Sequence, residues 1–305
     1  MRVWPLDPTA GRITSAFAMV IEAIDAFVEQ AVAPVCVERE KNPSKLEHVF
    51  VGLLYRAFGA SRTVSALKSS AHYQAIVGTE RLLIEIQLDM ELLHRRVFPD
   101  GLERFRCFIE VQRLKAAIRV AEFYDKRPAL DNDGSKSVHH RAFIDRNKVR
   151  IDAERAALFK DKAGKAVTPD HWSQKAVPDR ASLLDAKAEE FVLQGYDMRN
   201  FAVHTGLAGI TGLDNHGYVL MCSLSIKNIA DRLIGILTLS NAELGLSKHI
   251  PAFDGVIEMF DELHTYALAD AVLRERGEEP RLRLHTGHDW SNTATEFHVH
   301  PLPWE

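Results

Sequence analysis

The residues best suited to chemistry lie in Tyr196-Asp197-Met198-Arg199-Asn200-Phe201-Ala202-Val203-His204-Thr205-Gly206. Arg199 and His204 are five residues apart, Asn200 follows the arginine, and a glycine-bearing break follows the histidine. A guanidinium stays charged at physiological pH and grips an anion through paired N–H donors. An imidazole titrates near neutrality and moves protons. A carboxamide beside them orients either partner or a substrate hydroxyl. Together they form a minimal set for cleaving a phosphodiester without metal.

Helix geometry limits how the three act. On a straight helix Asn200 and His204 share a face, whereas Arg199 lies about 140° round from His204. Either the helix loosens before Thr205-Gly206, or a symmetric partner supplies the complementary group. A twofold axis would bring two copies of the patch together. The structural alternative places Arg199 at a helix terminus and His204 on helix-end carbonyls.

Arg199-Asn200-Phe201-Ala202-Val203-His204 resembles the Arg-(Asn/Asp/His)-x-x-x-His signature of the HEPN superfamily. Its members are dimeric helical bundles, many of them metal-independent ribonucleases of toxin and antiphage systems. The flanking chain is similar to a bacterial helical family of unknown function. That family carries Arg-x-x-x-Glu in an apolar helix (here Arg81 to Glu85), a Trp segment (here around Trp172), and a Tyr shortly before Val-His (here Tyr196 and Val203-His204). The likeness spans roughly 45 to 260. It implies that His204 handles the proton of the ribose 2′-hydroxyl or of the leaving 5′-oxygen. It also implies that Arg199 stabilises charge on phosphorus, and that Asn200 positions the phosphate or holds the imidazole. A 2′,3′-cyclic phosphate would be the product, with RNA or a nucleotide as ligand and a homodimer as the active form. An antitoxin or defence-system partner is implied as well. Gly206 stands where some toxin relatives carry a Tyr that a partner antitoxin modifies, so that regulation is not expected here. The rival reading is a non-catalytic helical dimer serving as scaffold, sensor or nucleotide-binding module.

Arg81 and Glu85 sit at i, i+4 within the most apolar stretch of the chain. Charges placed there need partners, because an unpaired buried charge is costly. They are expected either to tie two helices together or to reach the motif helix and orient Arg199 or His204.

Composition sets outer bounds. The chain has 305 residues, 46% hydrophobic and 26% charged, as in a globular protein with a sizeable core. Its 38 basic and 42 acidic side chains give a net charge of −4. That supplies no global pull toward nucleic acid, so RNA contact requires a local basic patch or a small groove. Cys36, Cys107 and Cys222 are widely spaced and outside any C-x-x-C pattern, which fits a reducing compartment. The amino terminus lacks a basic-then-apolar signal layout, and no window approaches eighteen apolar residues. A cytoplasmic protein with no membrane contact is expected. His285, His288, His298 and His300 suggest zinc, but would have to converge from a tail with little core of its own. Asp131-x-Asp133-Gly134 lacks the terminal Glu of a calcium loop, with Ala142 in its place. No metal or cofactor is expected.

Hydrophobic periodicity predicts an all-α multi-helix bundle. A first helix carries Phe17 to Val28 and is limited or kinked by Pro34. A second runs from about Lys45 to Lys68. The stretch from Tyr73 to Phe98, apolar around its circumference, reads as the buried central helix. Helices over 102–124 and 138–160 flank a flexible loop at 127–137, and a long connection holds Trp172. The motif helix is expected over about 182–204, followed by a short β-hairpin around Leu213 to Gly217. Helices over 225–243 and 251–276 complete one domain, 1–276, and an irregular tail covers 277–305.

Overall fold

The computed structural model describes residues 18, 20–41, 43–67, 72–192, 196 and 215–262. The helices in chain order are α1 (residues 20–39), α2 (Lys45–Ala66), α3 (Tyr73–His94), α4 (Gly101–Asp125), α5 (Val138–Leu158), α6 (Val177–Ser182), α7 (Ala186–Val192), α8 (Asn215–Leu244) and α9 (residues 253–262). Apart from a single bridge between Lys160 and Ala166, no strand occurs among the described residues. The protein is all-α, as the periodicity predicts.

Where the sequence reads as one bundle, the chain divides into two compact units. One comprises Met1–His94 with Ala186–Glu305, the other Arg95–Asp185.

In the first unit, α1 passes through Pro34 instead of stopping. A π-helical turn at Val28–Val32 lets the Ala33 N–H reach back to the Val28 carbonyl. The widened turn relieves the clash that a proline ring makes with the preceding turn, and the missing Pro34 N–H falls in the first turn of the segment Ala33–Arg39. α2 begins with a reciprocal cap. Ser44 Oγ accepts from the Glu47 N–H, and Glu47 Oε2 accepts from the Ser44 N–H. α3 packs against both α2 and α8 and buries residues around its whole circumference, among them Ile76, Leu83, Ile84, Ile86, Met90 and Leu93. It is the central helix expected from its composition. Phe27 of α1 meets Phe253 and Phe260 of α9 at centroid separations of 5.8 Å each, which ties the two ends of this unit together.

The second unit is built on the α4–α5 pair. Cys107, Val111 and Leu114 of α4 close on Ile151 of α5 and on Phe159 just beyond it. The long connection is not an idle loop. Trp172 is buried edge-on against Phe98 and Phe105, at 5.6 and 5.9 Å. The 127–137 segment contains a 3₁₀ turn at Pro128–Leu130. Asp131 accepts from the backbone N–H groups of Lys136 and Ser137 there.

Two expected elements differ. Residues 215–222 are not part of a hairpin; they open α8, ten residues ahead of the helix predicted from 225. Asn215 and Gly217 read locally as turn formers, but a turn propensity at two positions is a weak local preference that a long helix overrides. The rest of the expected hairpin lies outside the described residues. The helix predicted to begin at Ser182 instead has a short α6 ending there, with Pro178 in its first turn, then a break at 183–185 before α7.

Candidate functional site

The platform is α3. Although mostly apolar, it carries Glu80, Arg81, Glu85 and Gln87 within two turns. Burial makes each demand a partner, and the first unit provides them. Glu80 is fully buried, and Asn228 Nδ2 of α8 donates to its Oε1 at 2.8 Å. One turn further along α8, Arg232 Nη1 donates to Gln87 Oε1 at 3.0 Å. Burial pushes the Arg232 guanidinium below its usual pKa, while the Asp231 and Glu80 carboxylates pull it back up. α8 comes close at this point: a Cβ on Gly235 would stand 2.7 Å from Gln87 Nε2. A polar seam thus runs inside the α3–α8 contact.

Arg81 and Glu85 converge on Tyr196. Arg81 Nη2 donates to the phenol oxygen at 2.8 Å, and the phenol donates to Glu85 Oε1 at 2.8 Å. The Arg81 guanidinium also lies 4.6 Å from the Tyr196 ring centroid, within cation–π range. Desolvation pushes the phenol pKa up; the Arg81 hydrogen bond opposes this and Glu85 reinforces it. The tyrosine therefore stays protonated at neutral pH, with its proton directed at Glu85. Its hydroxyl is committed on both sides, so its role is to hold position, not to move protons. Three of the residues singled out in the sequence, 115 positions apart at their extremes, meet at one oxygen.

Arg199, Asn200 and His204 lie outside the described residues, as do His285, His288, His298 and His300. Among the described residues no group of three or more His, Cys, Asp or Glu side chains is placed to hold a metal ion. No described helix is long and apolar enough to cross a membrane.

No family model matches this chain, and no curated protein or solved structure is significantly similar to it. Function therefore has to be argued from the residues.

Sequence reasoning missed Glu80, Gln87, Asn228 and Arg232. A signal was present. Glu80 precedes Arg81 in the same apolar helix, and Asn228 and Arg232 stand at i, i+4 in another apolar run. Polar residues at helical spacing on two core helices are matched pairs in waiting, but only the packing shows which helix faces which.

Proposed function

We propose that this chain is a HEPN-like, metal-independent endoribonuclease acting on RNA as a homodimer, in the manner of a toxin or antiphage effector. The observation that carries the reading is the clamp of Arg81 and Glu85 on Tyr196, three residues before Arg199. A chain segment that presents a charged pair to a scissile phosphate must be held firmly by the scaffold. A half-buried three-residue hydrogen-bonded anchor at the head of the motif meets that need. In this reading His204 takes the proton of the 2′-hydroxyl or returns one to the 5′-oxygen. Arg199 neutralises the charge growing on the phosphoryl oxygens, and Asn200 orients the phosphate or the imidazole.

Purified protein is expected to cleave single-stranded RNA in EDTA, leaving a 2′,3′-cyclic phosphate. His204→Ala is expected to remove that activity at least a hundredfold, the usual scale for a general acid or base, with an unchanged circular-dichroism spectrum. A requirement for divalent metal, or activity that survives the substitution, rules the mechanism out. Light scattering at micromolar concentration reads the dimer directly; a strict monomer excludes a composite site.

A further inference from the structure

The net charge of −4 conceals a division. Residues 95–185 hold 20 Lys and Arg against 14 Asp and Glu, or +6. The remainder holds 18 against 28, or −10. The net positive charge is therefore confined to the second unit.

Several cations of that unit are engaged in ion pairs. Arg95 pairs with Asp185, Arg104 with Asp100, Arg141 with Asp125, Lys148 with Asp152, and Arg150 with both Glu110 and Glu154. Arg106, Arg113 and Arg119 of α4 are exposed and make no ion pair among the described residues. At about 100° per residue the three fall within roughly 140° of arc on the outer face of the helix. They span about 20 Å along its axis at 1.5 Å per residue. No Asp or Glu shares that arc. Glu110, at its edge, is gripped by Arg150 through both carboxylate oxygens at 2.8 and 2.9 Å, and its pKa is held down chiefly by that contact, with smaller contributions from Arg106 and Arg113. Ile109 and Phe123 stand exposed among the arginines, 50% and 43% accessible. Arg127 stacks over the Phe123 ring at 4.6 Å, and Arg113 over Phe143 at 4.7 Å.

We propose that the outer face of α4 is a single-stranded RNA-binding surface, with Arg106, Arg113 and Arg119 on phosphates and Phe123 as a stacking platform for a base. Exposed arginines in line, without an ion pair among the described residues and interleaved with exposed apolar and aromatic groups, match a ligand that alternates phosphates with flat rings. An acidic protein would neutralise the same charges but has no chemical need for the exposed ring. This rests on the ribonuclease reading only for the choice of RNA over DNA, and it concerns binding, which is measured apart from cleavage.

The test is fluorescence anisotropy of the full-length chain with a labelled 2′-O-methyl RNA oligomer, which lacks the nucleophilic hydroxyl and stays intact. Arg106→Ala/Arg113→Ala/Arg119→Ala is expected to weaken binding at least roughly tenfold, and to flatten the dependence of log K on log salt by about 2, since each single-strand phosphate contact contributes about 0.7. Lys160→Ala/Lys162→Ala/Lys165→Ala removes the same charge from the exposed 160–166 turn and is expected to bind within about twofold of wild type, because those lysines make no phosphate contact in this assignment. Phe123→Ala is expected to weaken binding without changing the salt slope. Equal losses from the arginine and lysine variants, or none from either, overturn the proposal. So does a wild-type chain that ignores RNA but self-associates through this face, read as a mass change abolished by the arginine variant. A chain that binds as described yet cleaves nothing leaves this surface standing and removes the ribonuclease instead.

Discussion

At the scale of single residues, the Tyr196 hydroxyl does the most defined work in the described structure. It accepts from Arg81 and donates to Glu85 in a half-buried setting. Tyr196→Phe deletes both bonds while keeping the ring, and leaves Arg81 Nη2 short of an acceptor. A loss of about 1–3 kcal/mol is expected, the usual cost of stranding buried polar groups, and urea denaturation measures it. Glu85→Gln keeps an acceptor for the phenol and is expected to cost less than Tyr196→Phe. RNA cleavage in both variants should track the folded fraction if the clamp only positions the chain. A fully folded Glu85→Gln protein with no cleavage would move Glu85 from the scaffold into the chemistry.

At the scale of elements, the connection around Trp172 is what turns the α4–α5 pair into a three-sided core. Trp172 is buried against Phe98 and Phe105, and its indole N–H has no hydrogen-bond acceptor among the described residues. Trp172→Ala is expected to cost about 3–5 kcal/mol, the range for emptying a large aromatic site. Trp172→Phe keeps the edge-on packing and discards the orphaned N–H, worth about 1–3 kcal/mol when unsatisfied, so its cost is expected to be much smaller. Chemical denaturation of the two variants side by side checks the order; equal costs would mean that the indole shape is not what the pocket reads.

At the scale of the whole molecule, three thiols are sealed inside. Burial pushes the Cys36 and Cys107 thiols up to about 11 and Cys222 to about 12, from an ordinary 9.0. Below pH 9 both folded and unfolded chains keep these protons, and the thiols contribute nothing to pH dependence. Between pH 9 and 11 the unfolded chain releases them and the folded chain does not. Stability therefore falls as pH rises, by up to about 1.4 kcal/mol per pH unit for each thiol. Replacing Cys222 by Ala is expected to make the alkaline fall shallower. Denaturation midpoints measured from pH 8 to 11 decide it, and an identical slope in the variant refutes the assignment.

The helical class, the central place of α3 and the bounds of α4 and α5 were legible in the sequence, because a period of 3.6 in burial is a local property of the chain. The need for partners at Arg81 and Glu85 was legible too, since a charge in an apolar helix is conspicuous wherever it ends up. The identity of those partners was not. Tyr196 lies more than a hundred residues from Arg81 and Glu85, and no periodicity connects them; only the packing of the chain against α3 brings its hydroxyl to both side chains. The same holds for Glu80 with Asn228 and for Gln87 with Arg232, which exist only where α8 crosses α3. The early start of α8 was misread for the converse reason: Asn215 and Gly217 carry turn propensity, a local preference that a helix running from Asn215 to Leu244 overrides. The sequence by itself determined which residues had to be inside and which would need company there. Which residue answers which was decided by tertiary structure, because pairing depends on distances in space that local spacing does not encode.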